Sequence, residues 1–292
     1  MKSAIILPTM PSGANPEGIA AAAETAERLG WQTAWTTDHV LVAHATAADY
    51  SSIYDVVVTL GWVGAKFAKL KLGTSVIVVP MRNAVILAKE LATLDSLVGG
   101  RLIVGVGVGW NEVEFGNVGA QARFHRRGAY LDETIALWRH LWSGASEPFE
   151  GEFHRFTDFV FGPLPAQGGH VPIVIGGQSD AALRRVARLG DGYHASALSP
   201  ARLADRLGYL STLINAAGRG PKSITARVSV RFDERPPSGY AVVGSPDEML
   251  AEVRAFADLG VEELAFSFGE TDAERARNAI ERFDRDVLAA LR

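Results

Sequence analysis

The feature that most constrains this chain is a strict alternation of short β-rich runs with amphipathic helical runs, sustained from one end to the other. Eight strand candidates stand out, at residues 4–7, 33–36, 72–79, 102–106, 171–175, 192–195, 224–232 and 263–268. Between them, apolar residues recur at i, i+4, i+7, the spacing of one helix face. Leu87, Leu91, Leu94 and Val98 follow it, as do Leu131, Ile135, Trp138 and Trp142, then Leu203, Leu207, Leu210 and Ile214. Ile280, Phe283, Val287 and Leu291, at i, i+3, i+7 and i+11, form the last stripe. Helix starts are marked by Asn15-Pro16, Ser199-Pro200 and Ser245-Pro246, a capping side chain before a proline at the first helical position. Ser245 and Glu248 also have capping-box spacing. Eight strand–helix units argue for a closed parallel (β/α)8 TIM barrel of the α/β class. The alternative, an open doubly wound sheet, would carry fewer strands and a glycine-rich phosphate turn after the first one; no such turn follows residue 7.

At 292 residues the chain is long enough for two average domains, but α/β barrels reach this size as one, and a single domain over 1–292 is expected. One segment breaks the alternation. Residues 148–165, with alternating aromatics between prolines, read as a small hairpin inserted before strand five. The formal charge of −4 gives no broad basic surface for nucleic acid. The absence of cysteine removes disulfides, zinc–thiolate sites and thiol catalysis, and no metal site is expected. No apolar run approaches membrane-spanning length, and the N-terminal residues lack a leader pattern. A cytoplasmic protein with no membrane or nucleic-acid partner is expected.

Barrel enzymes assemble their sites from the C-terminal ends of the strands, so the residues after each strand are the informative ones. Asp38-His39 follows strand two: a group that exchanges protons near neutral pH beside a carboxylate able to fix its tautomer. The competing reading is a structural histidine and a loop cap. Strand three contains Gly73, which can permit a bulge. Strand four runs into Gly105-Val106-Gly107-Val108-Gly109-Trp110-Asn111-Glu112. This is no dinucleotide fingerprint, because no helix follows immediately. Its alternating glycines either let a flat ring approach the backbone or serve tight packing in the barrel. Strand five ends in Gly176-Gly177-Gln178-Ser179-Asp180 and opens a helix, where free N–H groups favour an anion. Ser179 adds a hydroxyl, Arg184, Arg185 and Arg188 add charge, and Asp180 is expected to face outward. The competing reading there is a capped helix with a solvated basic face.

With these residues in view, the chain resembles the bacterial luciferase-like superfamily and, within it, the coenzyme F420-dependent oxidoreductases. The likeness spans nearly the whole sequence. It is carried by Leu72-Gly-Thr-Ser-Val-Ile-Val-Val-Pro-Met-Arg-Asn, Ala88-Lys-Glu-Leu-Ala-Thr-Leu-Asp and Gly99-Gly-Arg-Leu-Ile-Val-Gly-Val-Gly-Val-Gly-Trp-Asn-Glu-Val-Glu-Phe. Phe149-Glu-Gly-Glu-Phe and the run from Ile175 to Tyr193 complete it. The resemblance implies a cofactor ring across the strand ends, backed by a non-proline cis peptide between Ser75 and Val76. It implies a ring edge lined by Gly107, Val108, Gly109 and Trp110, and a cofactor phosphate at Gly176, Gly177 and Ser179. It places Asp38 and His39 beside the ring, with His39 as the catalytic candidate. Members that reduce sugars carry an acid where this chain has Trp110, with Glu112 two residues on. Luciferases carry an arginine where it has Val108, and many relatives a proline where it has Ala84.

The implied activity is hydride transfer between coenzyme F420 and a small organic substrate. The alternatives are an FMN-dependent monooxygenase and, from another class, a catalytically idle cofactor-binding barrel. Residues 40–54, with Leu41, Val42, His44, Tyr50 and Tyr54, are expected to wall an apolar or aromatic substrate. A homodimer is expected by analogy with the superfamily.

Overall fold

A computed structural model describes residues 1–10, 12–46, 50, 52–232 and 239–292. Its strands are β1 (Lys2–Ile6), β2 (Thr33–Thr36), β3 (Lys71–Thr74), β4 (Ile77–Val78), β5 (Leu102–Gly107), β6 (Phe149–Glu150), β7 (Arg155–Phe156), β8 (Ile173–Gly176), β9 (Gly192–Ser196), β10 (Ser223–Arg231), β11 (Ala241–Val243) and β12 (Glu263–Ser267). Parallel pairings run β1–β2–β3–β5–β8–β9–β10–β12 and return to β1, which closes an eight-stranded barrel. The helices used below are α1 (Pro16–Arg28), α2 (Val56–Lys66), α3 (Ala84–Leu97), α4 (Glu112–Asn117), α5 (Arg127–Trp142), α6 (Asp180–Leu189), α7 (Pro200–Ala216), α8 (Pro246–Asp258) and α9 (Ala273–Asp286). Among the described residues, no helix is long and apolar enough to cross a membrane.

Each element forms for the reason its residues suggest. Asn15 Oδ1 accepts from Gly18 N at 2.8 Å to open α1, and Ser199 Oγ accepts from Arg202 N at 3.3 Å to open α7. Ser245 and Glu248 complete a reciprocal capping box on α8. The stripes predicted on α3 and α5 are buried between helices and barrel, with Trp138 and Trp142 stacked at 5.3 Å. The hairpin expected in 148–165 is there: β6 and β7 pair antiparallel, and Phe149 stacks on Phe156 at 5.8 Å.

Three expectations change. Strand three is not continuous over 72–79. It breaks between β3 and β4, where the Ser75–Val76 peptide is cis, and both pieces pair with β5. Gly73 serves a different purpose from a bulge: a Cβ there would lie 2.2 Å from the Trp35 indole, which is fully buried inside the barrel. The last helical stripe stops at α9. Leu291 sits in a following 3-10 turn (Leu288–Leu291) and is partly exposed. One strand was not foreseen, β11, which pairs parallel with the end of β10 outside the barrel circuit.

Candidate functional site

The C-terminal ends of the strands surround a cavity of about 690 Å³, within the range of small-molecule sites. Asp38 and His39, Ser75 and Val76, Gly107, Val108, Gly109 and Trp110, and Gly176, Gly177 and Ser179 all line it. Residues scattered over 140 positions meet because parallel strands in a barrel end on one rim.

Asp38 and His39 are not partners. The Asp38 carboxylate is fully buried, accepts from Arg82 Nη2 at 2.6 Å and Nε at 3.3 Å, and accepts from Val78 N at 2.9 Å. Desolvation opposes the charge on Arg82, but Asp38 and then Asp55 outweigh it, and its pKa is raised. Asp38 therefore ties the end of β2 to β4. His39 turns the other way. Its Nδ1 lies 2.7 Å from Glu114 Oε2 on α4, and Glu114 Oε1 accepts from Val40 N at 2.6 Å. Burial favours the neutral Glu114, but the hydrogen bonds from His39 and the Val40 and Leu41 amides prevail, and its carboxyl pKa is lowered. Glu114 thus accepts Nδ1–H as a carboxylate and leaves Nε2 available to a substrate. Tyr50 packs on the His39 ring at 4.5 Å, with Trp110 at 6.1 Å from His39.

Glu114 was missed in the sequence, although it lies inside a motif of the resemblance. The acid noted in that motif was Glu112. Asn111 caps α4 by accepting from Glu114 N, and the helix turns Glu114 inward while Glu112 stays exposed beside Gln121 and His125. Only the direction of that one turn separates the two acids. Of the expected substrate wall, Tyr50 lines the cavity, whereas Leu41 is exposed and Tyr54 packs on the core. Residues 47–49 and 51, within the same segment, lie outside the described residues.

The glycine-rich strand ends make room for protein, not for open space. A Cβ on Gly107 would lie 2.7 Å from Val76 Cγ2, one on Gly176 2.9 Å from Val76 Cγ1, and one on Gly105 1.9 Å from Thr74 O. Tight packing therefore accounts for these glycines, while Gly107 and Gly109 also line the cavity. They seat Val76, whose exposed face then forms part of the cavity wall. Ser75 is held from the barrel interior by two residues the sequence reading passed over. Its Oγ lies 2.8 Å from His194 Nε2, and its carbonyl accepts from Arg227 Nη1 at 2.7 Å. His194 also meets Thr225 Oγ1 at 2.7 Å through Nδ1 and stacks on Trp35 at 4.5 Å. Burial, aided by the Arg227 charge, pushes its pKa down to about 3, so it is neutral in any ordinary buffer.

At the opposite end of the cavity, Gly177 has φ +116°, a conformation glycine favours. The first turn of α6 follows at the cavity wall. Ser179 Oγ is the N-cap acceptor for Ala182 N at 3.2 Å, which leaves its hydroxyl hydrogen to be donated to a ligand. Asp180 faces away, paired with Arg206 at 2.7 Å. Of the three arginines named for charge, only Arg185 lines the cavity, paired with Asp132; Arg184 reaches Tyr209, and Arg188 is largely exposed. Arg127, unforeseen, also lines it. Its Nη1 donates to Phe124 O at 2.6 Å, and its buried Nε has no partner among the described residues.

A closed parallel barrel with a broken third strand, a histidine at the end of the second and a helix N-terminus after the fifth defines a class, the luciferase-like barrels. The family model for luciferase-like monooxygenases matches residues 1–236. The chain belongs to that family and is an oxidoreductase. It is 30% identical to the uncharacterized protein Rv0953c of Mycobacterium tuberculosis over 97% of both chains. It is 32% identical to an F420-dependent glucose-6-phosphate dehydrogenase of Kineococcus radiotolerans over 76% of this chain and 66% of that one. Among solved structures, an F420-dependent secondary alcohol dehydrogenase in complex with an F420-acetone adduct superposes with a TM-score of 0.83 at 18% identity, over 100% of this chain and 99% of the other.

Proposed function

We propose that the protein is a coenzyme F420-dependent oxidoreductase acting on a small organic substrate. The observation that carries this reading is the pairing of His39 with Glu114 at a cavity that also takes in the N-terminus of α6. F420-dependent enzymes among its sequence relatives support it.

The residues present fit a ring carrying a phosphate. The N–H groups of the first turn of α6 and the Ser179 hydroxyl would hold the phosphate, with the Arg127 charge at the same cavity wall. Gly177 allows the backbone to come close there. Val76, wedged among glycines, would give the ring a rigid wall, with Gly107 to Trp110 placed to line its edge. When bound, the deazaflavin supplies a carbon that gives or accepts a hydride. The chain supplies the rest: orientation, a desolvated pocket and a proton handled at His39 Nε2. Glu114 fixes the tautomer that makes Nε2 the working nitrogen. Asp38 acts at one remove, holding β4 and hence the wall, and is a positioning residue in place of the catalytic partner expected from sequence.

The test is fluorescence-monitored binding of coenzyme F420 and of FMN to the purified protein. Micromolar or tighter binding of F420, with FMN weaker, is expected. Tight FMN binding with no response to F420 replaces this reading with the FMN monooxygenase, and binding of neither points to an idle barrel. His39→Ala is expected to abolish turnover while leaving F420 affinity unchanged; undiminished turnover would remove His39 from the role.

A further inference from the structure

The cavity at the strand ends is rich in cationic side chains. Arg127, Arg185 and Arg227 line it, whereas its one lining carboxylate among the described residues, Asp38, is already taken up by Arg82. Arg185 is answered by Asp132, and Arg127 lies toward the phosphate end. Arg227 belongs to neither arrangement. Strand alternation on β10 turns Thr225 and Arg227 into the barrel and Ala226 and Val228 out toward the helices. Arg227 Nη1 is held by Ser75 O at 2.7 Å and Ser75 Oγ at 3.3 Å. Its Nε and Nη2 have no protein partner among the described residues, and no carboxylate pairs with it. These two nitrogens are the pair with which an arginine grips a carboxylate side-on. Burial lowers the pKa of Arg227, opposed only by the Tyr50 phenol. A guanidinium kept in such a place without a counter-charge is costly, and the cost is relieved when an anion arrives.

A second observation concerns the space beside Arg227. A second, small cavity of about 70 Å³ shares Met10, Thr37 and Arg227 with the lining of the main one and is otherwise walled by residues such as Leu7, Ser229 and Ser267 on or just after β1, β10 and β12. It lies away from the α6 end and has room for a carboxylate or a few waters, not for a ring. We infer that Arg227 anchors a carboxylate of the substrate in this small cavity, with the rest of the substrate extending into the main cavity toward His39 and Tyr50. This names a substrate class, organic carboxylates, for the oxidoreductase proposed above and rests on that reading for its catalytic meaning. It adds a carboxylate to the apolar or aromatic substrate expected from the sequence.

The probes are benzoate and its neutral isostere benzamide, titrated by tryptophan fluorescence and thermal shift into the protein with and without saturating F420. Benzoate is expected to bind both forms and benzamide neither. Arg227→Gln should weaken benzoate by about tenfold or more, with Arg227→Lys between the two. Circular dichroism checks each variant, and the benzoate–benzamide contrast in the parent protein decides the matter if a variant fails to fold. Absence of benzoate binding, equal binding of benzamide, or undiminished binding by folded Arg227→Gln overturns the inference. So does displacement of benzoate by F420, which would put Arg227 on the cofactor. Benzoate binding without any F420 binding supports the carboxylate subsite and refutes only the proposed cofactor.

Discussion

His194 offers the most direct test of the site's electrostatics, because it needs neither substrate nor cofactor. The ring is 1% exposed, lies against Trp35, and has both nitrogens engaged, by Ser75 at 2.8 Å and Thr225 at 2.7 Å. Burial and the Arg227 charge set its folded pKa at about 3, against 6.5 for the free side chain. The native state therefore binds fewer protons than the unfolded chain between these values. A depressed folded pKa contributes stability that is fully present above pH 6.5, declines as pH falls, and levels off near pH 3. At pH 4.5, two units below the unfolded value, the loss is about 3 kcal/mol at about 1.4 kcal/mol per unit. His194→Gln can still bond both hydroxyls but does not titrate. Urea unfolding of both proteins at pH 7.5, 6.0 and 4.5 isolates the contribution, since the other titrating groups are common to both. The parent should lose about 3 kcal/mol more than the variant between pH 7.5 and 4.5. Parallel pH dependences would refute the reasoning and mean that the ring is protonated or solvated inside the barrel.

The other expectations concern single contacts. Glu114→Gln keeps the shape but removes the charge that holds His39, and should lower kcat by roughly 10- to 100-fold with unchanged F420 affinity; an unaltered kcat would show that His39 needs no such partner. Arg82→Met strands the fully buried Asp38 carboxylate and should cost about 3–5 kcal/mol in urea unfolding at pH 7, and a loss below 1 kcal/mol would disprove the clamp. Gly107→Ala drives a Cβ to within 2.7 Å of Val76 and should destabilise the fold by about 1–3 kcal/mol, read as a lower Tm together with weaker F420 binding.

The barrel was legible because its determinants are local and repeated. Caps at Asn15, Ser199 and Ser245, buried stripes such as Leu131 to Trp142, and eight β-rich runs each reflect the period of one element. The rim followed from the same pattern, since the end of every strand in a parallel barrel is a candidate wall, and all eleven site residues read from sequence do line the cavity. What that pattern could not say is which way each side chain turns and what it meets there. Adjacent residues leaving a strand diverge, so Asp38 went to Arg82 and His39 to Glu114 although they neighbour each other in the chain. Glu112 and Glu114 differ by two positions on one short helix, and only its docking against the loop after β2 selects the second. His194 and Arg227 carry no local signature, because what sets them apart is the desolvated barrel interior they share with Ser75. That environment exists only once strands β3, β9 and β10 have closed around it.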